Sequence, residues 1–460
     1  MEKKNSLVSS KLDFRPVNVR SLMKAFIFIA FASALGSIVQ LRCVFAAAIG
    51  AQETVGVDVP KALQSPPFNR NRTLNVPAGA KISVLARVRE ARFLAVGPEG
   101  ELLVSQPGRG KILLIRSSDS PEPEISELIA GLRLPHGMVF ERFGEKTYLY
   151  VSESNRVSRF LYSQGHVSKA GQEIVLSNLP DRSSPGLGGT YGHELKNIAI
   201  GPDRKLYVDI ASATNADPAD TLSDPVRSAI YRCDLDGRNL QLFARGIRNA
   251  EGLAFVPGTN ALWAVVNERD NIRYPFRNGI RKGAYGRVLP EYVDDHPPDE
   301  FIEVIEGANY GWPFANPNPD TGLDNMSFDP DFETNPDWSR FPANAFRRID
   351  KGIQAHSAPL GLSFLQNSKV PRPFRNAAVV ALHGSWNRRR KTGYKVVIFP
   401  WLANGRPGQQ LDLVSGWLND ESQQEWGRPV DAVPDLDGNL LISDDKSGTI
   451  YKLWFARTPE

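Results

Sequence analysis

A short pattern of apolar and polar positions recurs along the chain and predicts its fold. Each copy has an apolar triplet, a turn of Gly, Pro or Asp, and a second run of strand-forming residues. The copies lie at residues 94–105, 137–152, 198–210, 252–265, 361–382 and 431–443. Short runs joined by such turns indicate antiparallel strand pairs, and no long stretch has the helical period. About six pairs in order predict an all-β, six-bladed β-propeller in which each copy begins a four-stranded blade.

Insertions separate these copies unequally, and we expect them to form long loops on one face of the propeller. The largest covers residues 271–345 and is rich in Pro, Asn and Asp. A loop of this length in a compact domain is usually functional or disordered. Its aromatic residues, which include Tyr292, Tyr310 and Trp312, favour an ordered loop.

The N-terminal residues 1–48 follow the order of a secretory signal. Basic side chains precede an uncharged apolar run at 25–41, and Ala46, Ala47 and Ala48 supply small residues for cleavage. The run is close to the shortest length that spans a membrane, so a retained anchor is the alternative. We expect a periplasmic or secreted protein, with membrane contact only through an uncleaved anchor. A linker and lead-in would cover 49–80, and the propeller 81–460.

Removal of this segment changes the charge of the chain. The whole sequence has 55 Lys and Arg and 51 Asp and Glu. Residues 1–48 contain seven basic and two acidic side chains, which leaves 48 basic and 49 acidic ones, a net charge of −1. The charge therefore gives no support for nucleic-acid binding. Of the two cysteines only Cys233 follows the signal segment, so we expect no internal disulfide and a buried, apolar Cys233.

Polar residues at the edges of the predicted strand pairs are the candidates for chemistry. These residues are His193, Arg248, Asn249, Asn387, Arg388 and Arg428. Equivalent positions of different blades converge on the axis of a propeller, so these side chains could share one pocket. Arginines there would suit an anionic, planar ligand, and a histidine suits general-base catalysis near neutral pH. The structural alternatives are that Arg428 only ties adjacent blades together and that His193 is a turn histidine with satisfied hydrogen bonds.

Several other chemistries lack their motifs. None of the six histidines forms a His-x-x-x-His pair, which argues against a zinc site. The nucleophile elbow Gly-x-Ser-x-Gly is absent, as is a Gly-x-Gly-x-x-Gly turn after a strand. Without a haem-binding Cys-x-x-Cys-His, any electrons taken from a substrate would leave to a separate acceptor.

A set of stretches in the chain resembles the glucose/sorbosone dehydrogenase family, the soluble sugar dehydrogenases that depend on pyrroloquinoline quinone (PQQ). The stretches are 192–193 with 200–203, 248–255, 299–300, 307–313, 356–359, 383–388 and 427–430. The resemblance extends over about 85–455 and is nearer to the sorbosone-dehydrogenase-like branch. It implies a six-bladed propeller, PQQ stacked at the centre of the disc, a calcium ion that bridges PQQ and protein, and oxidation of an aldose or sugar aldehyde.

The same resemblance implies roles for individual residues. His193 would take the proton from the substrate hydroxyl while hydride passes to PQQ, and Arg248 would assist calcium. The cofactor-binding positions would be Arg248, Asn249, Asn267, Asp299, Asn387, Arg388 and Arg428. The main-chain carbonyls of Glu268 and Arg269 would bind calcium.

Five positions depart from the family pattern. A Gly-Pro pair is replaced by Glu268-Arg269, a glutamine by Asn267 and an arginine by Trp426, and a lysine aligns near Asn387. Two other functions therefore stay open. One is a non-catalytic sugar-binding or assembly propeller with a degenerate cofactor site. The other is a propeller lactonase, which would centre a metal on Glu, Asn and Asp side chains.

Overall fold

Six antiparallel sheets form the blades of a six-bladed β-propeller, as the sequence predicts. The computed structural model describes residues 51–116, 122–278, 281–366, 369–372 and 374–455. The predicted signal segment at 1–48 lies outside the described residues. Among the residues described, no helix has the length and apolar character needed to cross a membrane.

Each blade is one antiparallel sheet, built mostly from strands that follow one another in the chain. Blade 1 has Leu94–Val96, Leu102–Gln106, Lys111–Arg116 and Glu124–Ala130, and blade 2 has Met138–Phe143, Lys146–Glu153, Arg156–Ser163, His166–Val167 and Glu173–Leu176. Blade 3 has Ile198–Ile200, Lys205–Ile210, Ala229–Asp234 and Gln241–Arg245, and blade 4 has Gly252–Phe255, Leu262–Val266, Asp299–Glu303, Ile349–Ile353 and Asp324–Met326. Blade 5 has Pro359–Phe364, Ala377–Leu382, Lys395–Pro400 and Leu411–Val414, and blade 6 has Pro429–Pro434, Leu440–Asp444, Thr449–Trp454 and Lys81–Arg87. Blades 2 and 4 thus have five strands instead of the expected four.

The remaining elements are short. Three further strand pairs are Gln52–Gly56 with Thr73–Pro77, Ala315–Pro317 with Phe328–Pro330, and Leu418–Asn419 with Gln424–Glu425. An α-helix covers Pro290–Val293, and 3-10 helices cover Lys61–Leu63, Pro107–Arg109, Lys169–Gly171, Pro218–Leu222, Pro336–Trp338 and Ala343–Ala345.

The first strands of the six blades form a closed ring. Each contacts the first strand of the next blade, and that of blade 6 contacts that of blade 1. The strand Lys81–Arg87 comes from the other end of the domain, and it completes blade 6 because it pairs with Thr449–Trp454 at the outer edge of that sheet. Hydrophobic clusters lie between neighbouring blades, where Trp263, for example, meets Phe301 and Trp401 at ring-centroid distances of 4.9 and 5.0 Å.

Two segments are more structured than their sequences indicate. Residues 49–80, expected as a linker and lead-in, contain a strand pair whose Asn75 exchanges main-chain hydrogen bonds with Ser415. The insertion expected at 271–345 contains Asp299–Glu303, which is the third strand of blade 4. Cys233 is buried between blades 2 and 3, which confirms its predicted apolar role.

Antiparallel pairing decides where the candidate residues lie. The start of a blade's first strand is beside the end of its second strand, so both belong to one face of the disc. We call this the upper face. It contains the residues that precede the first strands and the loops that follow the second strands.

Candidate active site

The upper face brings most of the candidate residues together. His193, Arg248 and Arg428 precede first strands, whereas Asn267 and Asn387 follow second strands. Their loops are joined by main-chain hydrogen bonds, among them that from Asn267 N–H to Asn249 O at 3.0 Å. The candidate residues therefore lie on one face of the disc, as their equivalent blade positions predict, and their convergence in one pocket stays a prediction.

Side chains from five blades meet on the axis beneath this face. The ring of Phe93 lies 4.2 Å from that of His136, and His136 Nε2 lies 3.0 Å from Glu251 Oε2. Leu360 and Val430 form a hydrophobic cluster with Phe93. All five residues lie within two residues of the start of a first strand, so a ligand on the upper face would rest on this floor.

Ser212 fixes the tautomer of His193. His193 Nδ1 lies 2.9 Å from Ser212 O and 2.8 Å from Ser212 Oγ. Ser212 Oγ donates its own hydrogen to Thr214 O at 2.8 Å, so it can only accept from the imidazole. Both partners of Nδ1 are thus acceptors, and Nδ1 must hold the proton. Nε2, which makes no hydrogen bond to a described residue, is then the basic nitrogen of the neutral ring.

The surroundings of His193 keep it neutral. Burial, and then the positive charge of Arg248, lower the pKa of His193 to about 3. The Ser212 N–H donates to Arg248 O at 2.8 Å, so one serine links the histidine to the arginine. A neutral imidazole with a free Nε2 can accept a hydrogen bond from a hydroxyl group, although so low a pKa makes it a weak base in the cofactor-free protein.

Arg248 is buried but lacks a close counter-charge. Its guanidinium donates to Asn215 O, to Asn215 Oδ1 at 3.0 Å and to Asn267 O at 3.1 Å. The nearest carboxylate oxygen paired with it, Asp270 Oδ2, is 3.7 Å away. Burial lowers the pKa of Arg248, which is the cost of holding this charge away from water. The Oδ1 of neighbouring Asn249 is buried and has no hydrogen-bond partner among the residues described.

Asp270 joins the candidate residues of blades 4 and 5, although the sequence analysis did not select it. Its carboxylate accepts from Asn387 Nδ2 at 3.3 Å and lies 3.6 Å from His356 Nδ1. Asp270 and Ser212 both follow second strands, so their position after such strands is the signal that could have identified them. Neither residue belongs to a recognisable motif.

Arg428 belongs to a second group on the same face. Its Nε and Nη2 donate to His383 O and Gly384 O, each at 3.0 Å, so Arg428 does tie blade 6 to blade 5. His383 Nε2 lies 2.9 Å from Asp445 Oδ1, and Arg92 donates to the same carboxylate at 2.9 Å. Asp445 and Arg92 are further residues that the sequence analysis missed.

The loop after the second strand of blade 4 contains the proposed calcium ligands. Asp299 shapes this loop, because its two carboxylate oxygens accept the N–H groups of Glu268 at 3.0 Å and Ala358 at 2.9 Å. Burial raises the pKa of Asp299 to about 6. Burial raises the pKa of Glu268 to about 8. The positive charge of Arg248 opposes this shift, and the negative charge of Asp299 adds to it. Asp299 therefore holds main chain through both of its carboxylate oxygens.

Two predicted residues direct their side chains into the insertion. Arg269 pairs with Asp331 and, at 2.5 Å, with Glu333. Arg388 donates to Asp294 O and, at 3.3 Å, to Asp295 Oδ1. Their guanidinium groups hold the insertion against the upper face, and only the main chain of Arg269 stays available in the blade 4 loop.

The model of the TrAA12-like family matches residues 74–455. This chain belongs to that family of PQQ-dependent sugar dehydrogenases. The PQQ domain of pyranose dehydrogenase from Coprinopsis cinerea, in its holo form, has the same fold with a TM-score of 0.68 and 19% identity, over 86% of this chain and 98% of that one. A calcium structure of a family AA12 enzyme from Trichoderma reesei gives a TM-score of 0.67 and 21% identity, over 82% and 96%.

A curated relative matches over a shorter stretch. The PQQ-dependent pyranose dehydrogenase of Coprinopsis cinerea is 33% identical over 116 residues, which are 22% of this chain and 15% of that protein. At such identities the solved structures establish the fold, and the family match establishes membership. The placement in the sorbosone-dehydrogenase-like branch stays a prediction.

The residues of the upper face fit an anionic, planar quinone. Arg428 is half-buried and forms no ion pair with a described residue, and Arg248 has its counter-charge at 3.7 Å. Desolvated charges are costly unless paired, so an anionic ligand would stabilise both guanidinium groups. Asn249 Oδ1 offers an unused acceptor.

The loop after the second strand of blade 4 also fits a calcium ion, which its main-chain carbonyl oxygens alone would bind. The carbonyl oxygens of Glu268 and Arg269 accept no hydrogen bond from a described residue, and calcium prefers such oxygen ligands. In the described part of the chain, no group of three or more His, Cys, Asp and Glu side chains could hold a metal ion.

The tautomer of His193 can be measured directly. In the cofactor-free protein, nitrogen-detected NMR of the histidine rings should show His193 neutral and protonated on Nδ1 from pH 8 down to about pH 4, since its pKa is lowered to about 3. The exposed ring of His166 serves as the internal control. A proton on Nε2, or titration of His193 above pH 6, would contradict the assignment.

Proposed function

We propose that this protein is a PQQ- and calcium-dependent dehydrogenase that oxidises an aldose or a sugar aldehyde. The observation that carries the proposal is the Nδ1–H tautomer of His193, which leaves Nε2 free beside buried Arg248. Membership of the TrAA12-like family and the pyranose dehydrogenase relative support the same activity.

The residues of the upper face would divide the work. His193 Nε2 would accept the proton of the sugar hydroxyl, and Ser212 would keep the imidazole oriented. Arg248 and Arg428 would hold the anionic groups of PQQ, with Asn249, Asn267 and Asn387 as polar contacts at the rim. Arg388 would act through the insertion, because its side chain binds Asp294.

When bound, PQQ would supply the two-electron oxidant for the sugar C–H bond. Calcium, held by the carbonyls of Glu268 and Arg269, would add Lewis-acid polarisation. We further propose that the protein is exported to the periplasm or the medium and passes its electrons to a separate acceptor. These last two statements rest on the sequence of residues 1–48 and on the missing haem motif.

The alternatives predict different chemistry. A lactonase would need a metal on Glu, Asn and Asp side chains, and the geometry of the described residues offers no carboxylate cluster for one. A binding or assembly propeller would need no basic imidazole. The combination of neutral His193 with two guanidinium groups favours oxidation over both.

Reconstitution tests the proposed activity and the role of His193 together. Purified protein incubated with PQQ and calcium should gain quinone absorbance and reduce an artificial dye when an aldose is added. His193→Ala should bind PQQ but lose about 10²–10⁴-fold in turnover, the usual contribution of a general base. Omission of calcium and of PQQ are the controls. Wild-type protein that binds PQQ yet oxidises none of the aldoses, or full activity in His193→Ala, would overturn the proposal.

Exposed Trp386 offers a test of substrate binding on the upper face. Its indole is 70% exposed in the loop that leads to Asn387, where an aromatic face can pack on the apolar face of a sugar. Trp386→Ala should raise the KM for the aldose about 2- to 10-fold and leave kcat unchanged.

Leu222→Ala is the matched control for Trp386→Ala. Leu222 is 84% exposed and belongs to the loop after the second strand of blade 3, also on the upper face. Its removal should change neither KM nor kcat. Equal effects of the two variants would exclude a specific contact between Trp386 and the sugar.

A further inference from the structure

The insertion contains a cleft of about 720 Å³ that the proposed mechanism does not use. We call it the insertion cleft, and its principal lining residues are Tyr274, Phe276, Arg277, Tyr292, His296 and Trp338. Small-molecule sites have volumes of about 300–1,000 Å³, so this one can hold a ligand of more than one ring.

One wall of the insertion cleft is a set of aromatic rings that support each other. The rings of Tyr292 and His296 stack with centroids 4.1 Å apart, and Tyr274 meets Tyr292 edge to face at 5.1 Å. Tyr274 also meets Phe276 at 5.4 Å. Because the rings are fixed by each other, a ligand that packs on them would not have to order them.

The other wall contains strained main chain and paired charges. Asp337 and Trp338 both have left-handed backbone, with φ of 52° and 60°. Positive φ is unfavourable for a bulky residue such as Trp, and such strain is concentrated at ligand sites. Arg277 Nε donates to Asp337 Oδ2 at 2.8 Å and its guanidinium lies 4.1 Å from the Tyr285 ring centroid, so this arginine is held in place.

A buried nitrogen of His296 is a second, independent indication that the cleft binds a ligand. The residue is 8% exposed, and its Nε2 is buried without a hydrogen-bond partner in the part of the chain that is described. Asp320 Oδ1 lies 3.4 Å from His296 Nε2, close enough for an ion pair with a protonated ring but not aligned as a hydrogen bond. An unsatisfied buried nitrogen costs about 1–3 kcal/mol, which a ligand hydroxyl would relieve.

The charges of the lining select a neutral ligand. The cleft is lined by two arginines, Arg277 and Arg281, and by two carboxylates, Asp320 and Asp337. Arg281 is further paired with Glu291 at 2.8 Å. An anion or a cation would therefore find no excess of opposite charge. Flat apolar rings and planar polar side chains together suit a molecule with apolar ring faces and hydroxyls at its edge.

We propose that the insertion cleft binds glycosyl units of a neutral oligosaccharide. The cleft is close to the upper face, because His356 Nε2 donates at 2.7 Å to Val293 O, next to Tyr292, and His356 Nδ1 faces Asp270. Asp270 and Tyr274 are four residues apart, a span of at most about 14 Å. An oligosaccharide bound in the cleft would extend towards His193, a part of the proposal that rests on the proposed function.

Direct binding tests the insertion cleft without PQQ or calcium. Cellotetraose and maltotetraose, titrated separately into the cofactor-free full chain by calorimetry, are the probes, and at least one should bind. Phe276→Ala and exposed Asp320→Ala should each weaken that binding about 2- to 10-fold. Phe341→Ala is the matched control, since Phe341 is an exposed aromatic residue of the same insertion outside the cleft.

The outcomes separate this proposal from the proposed function. No binding by either tetraose, or binding that both folded cleft variants leave unchanged, would overturn the insertion cleft as a glycan site. In the PQQ-loaded enzyme, the cleft variants should raise the KM for the bound tetraose and leave that for glucose unchanged. An enzyme that oxidises no sugar while the tetraose still binds would remove the proposed function and leave the cleft in place.

Discussion

The antiparallel pairing of the first and second strands in each blade is the constraint on which the site depends. It puts the residues before one strand beside the residues after the next, and the closed ring of first strands repeats that junction around one axis. Ser212 can therefore reach His193 across 19 residues, and Arg428 can reach His383 across 45. Each blade thus presents equivalent loop positions on the upper face, and the side chains at those positions determine what the site can bind or catalyse.

The upper face also contains buried charged and polar side chains that are incompletely paired. Main-chain groups make hydrogen bonds to buried polar side chains here, as where two N–H groups donate to the carboxylate of Asp299. Arg248 has carbonyl partners and a carboxylate 3.7 Å away, and Asn249 Oδ1 has no hydrogen-bond partner among the described residues. Such incompletely paired groups reduce stability. Arg248 and Asn249 lie above the floor formed by Phe93 and His136, where a ligand on the upper face would satisfy them.

The sequence predicts the six strand pairs well because alternating apolar runs and turn residues are local signals. The same reasoning finds His193, Arg248 and Arg428, which directly precede those runs. It does not find Asp270 or Ser212, because each is a single polar residue in a loop and matters only through partners far away in the chain. The same reasoning also fails to recognise the strand Asp299–Glu303 within the insertion. That strand begins with two buried carboxylates, so it lacks the apolar run by which the other strands are recognised. The resemblance to a family supplied Asn267, Asp299 and Asn387 as candidates, and the structure shows which contacts they make.

A crystal structure of the protein with PQQ and calcium bound would test the central claim most directly. We expect a planar ligand on the upper face above Phe93 and His136, with its anionic groups on Arg248 and Arg428. His193 Nε2 should be directed at the space above the ring of the ligand. Calcium should lie at the carbonyl oxygens of Glu268 and Arg269. PQQ bound away from these residues, or His193 Nε2 occupied by a donor from the protein, would contradict it.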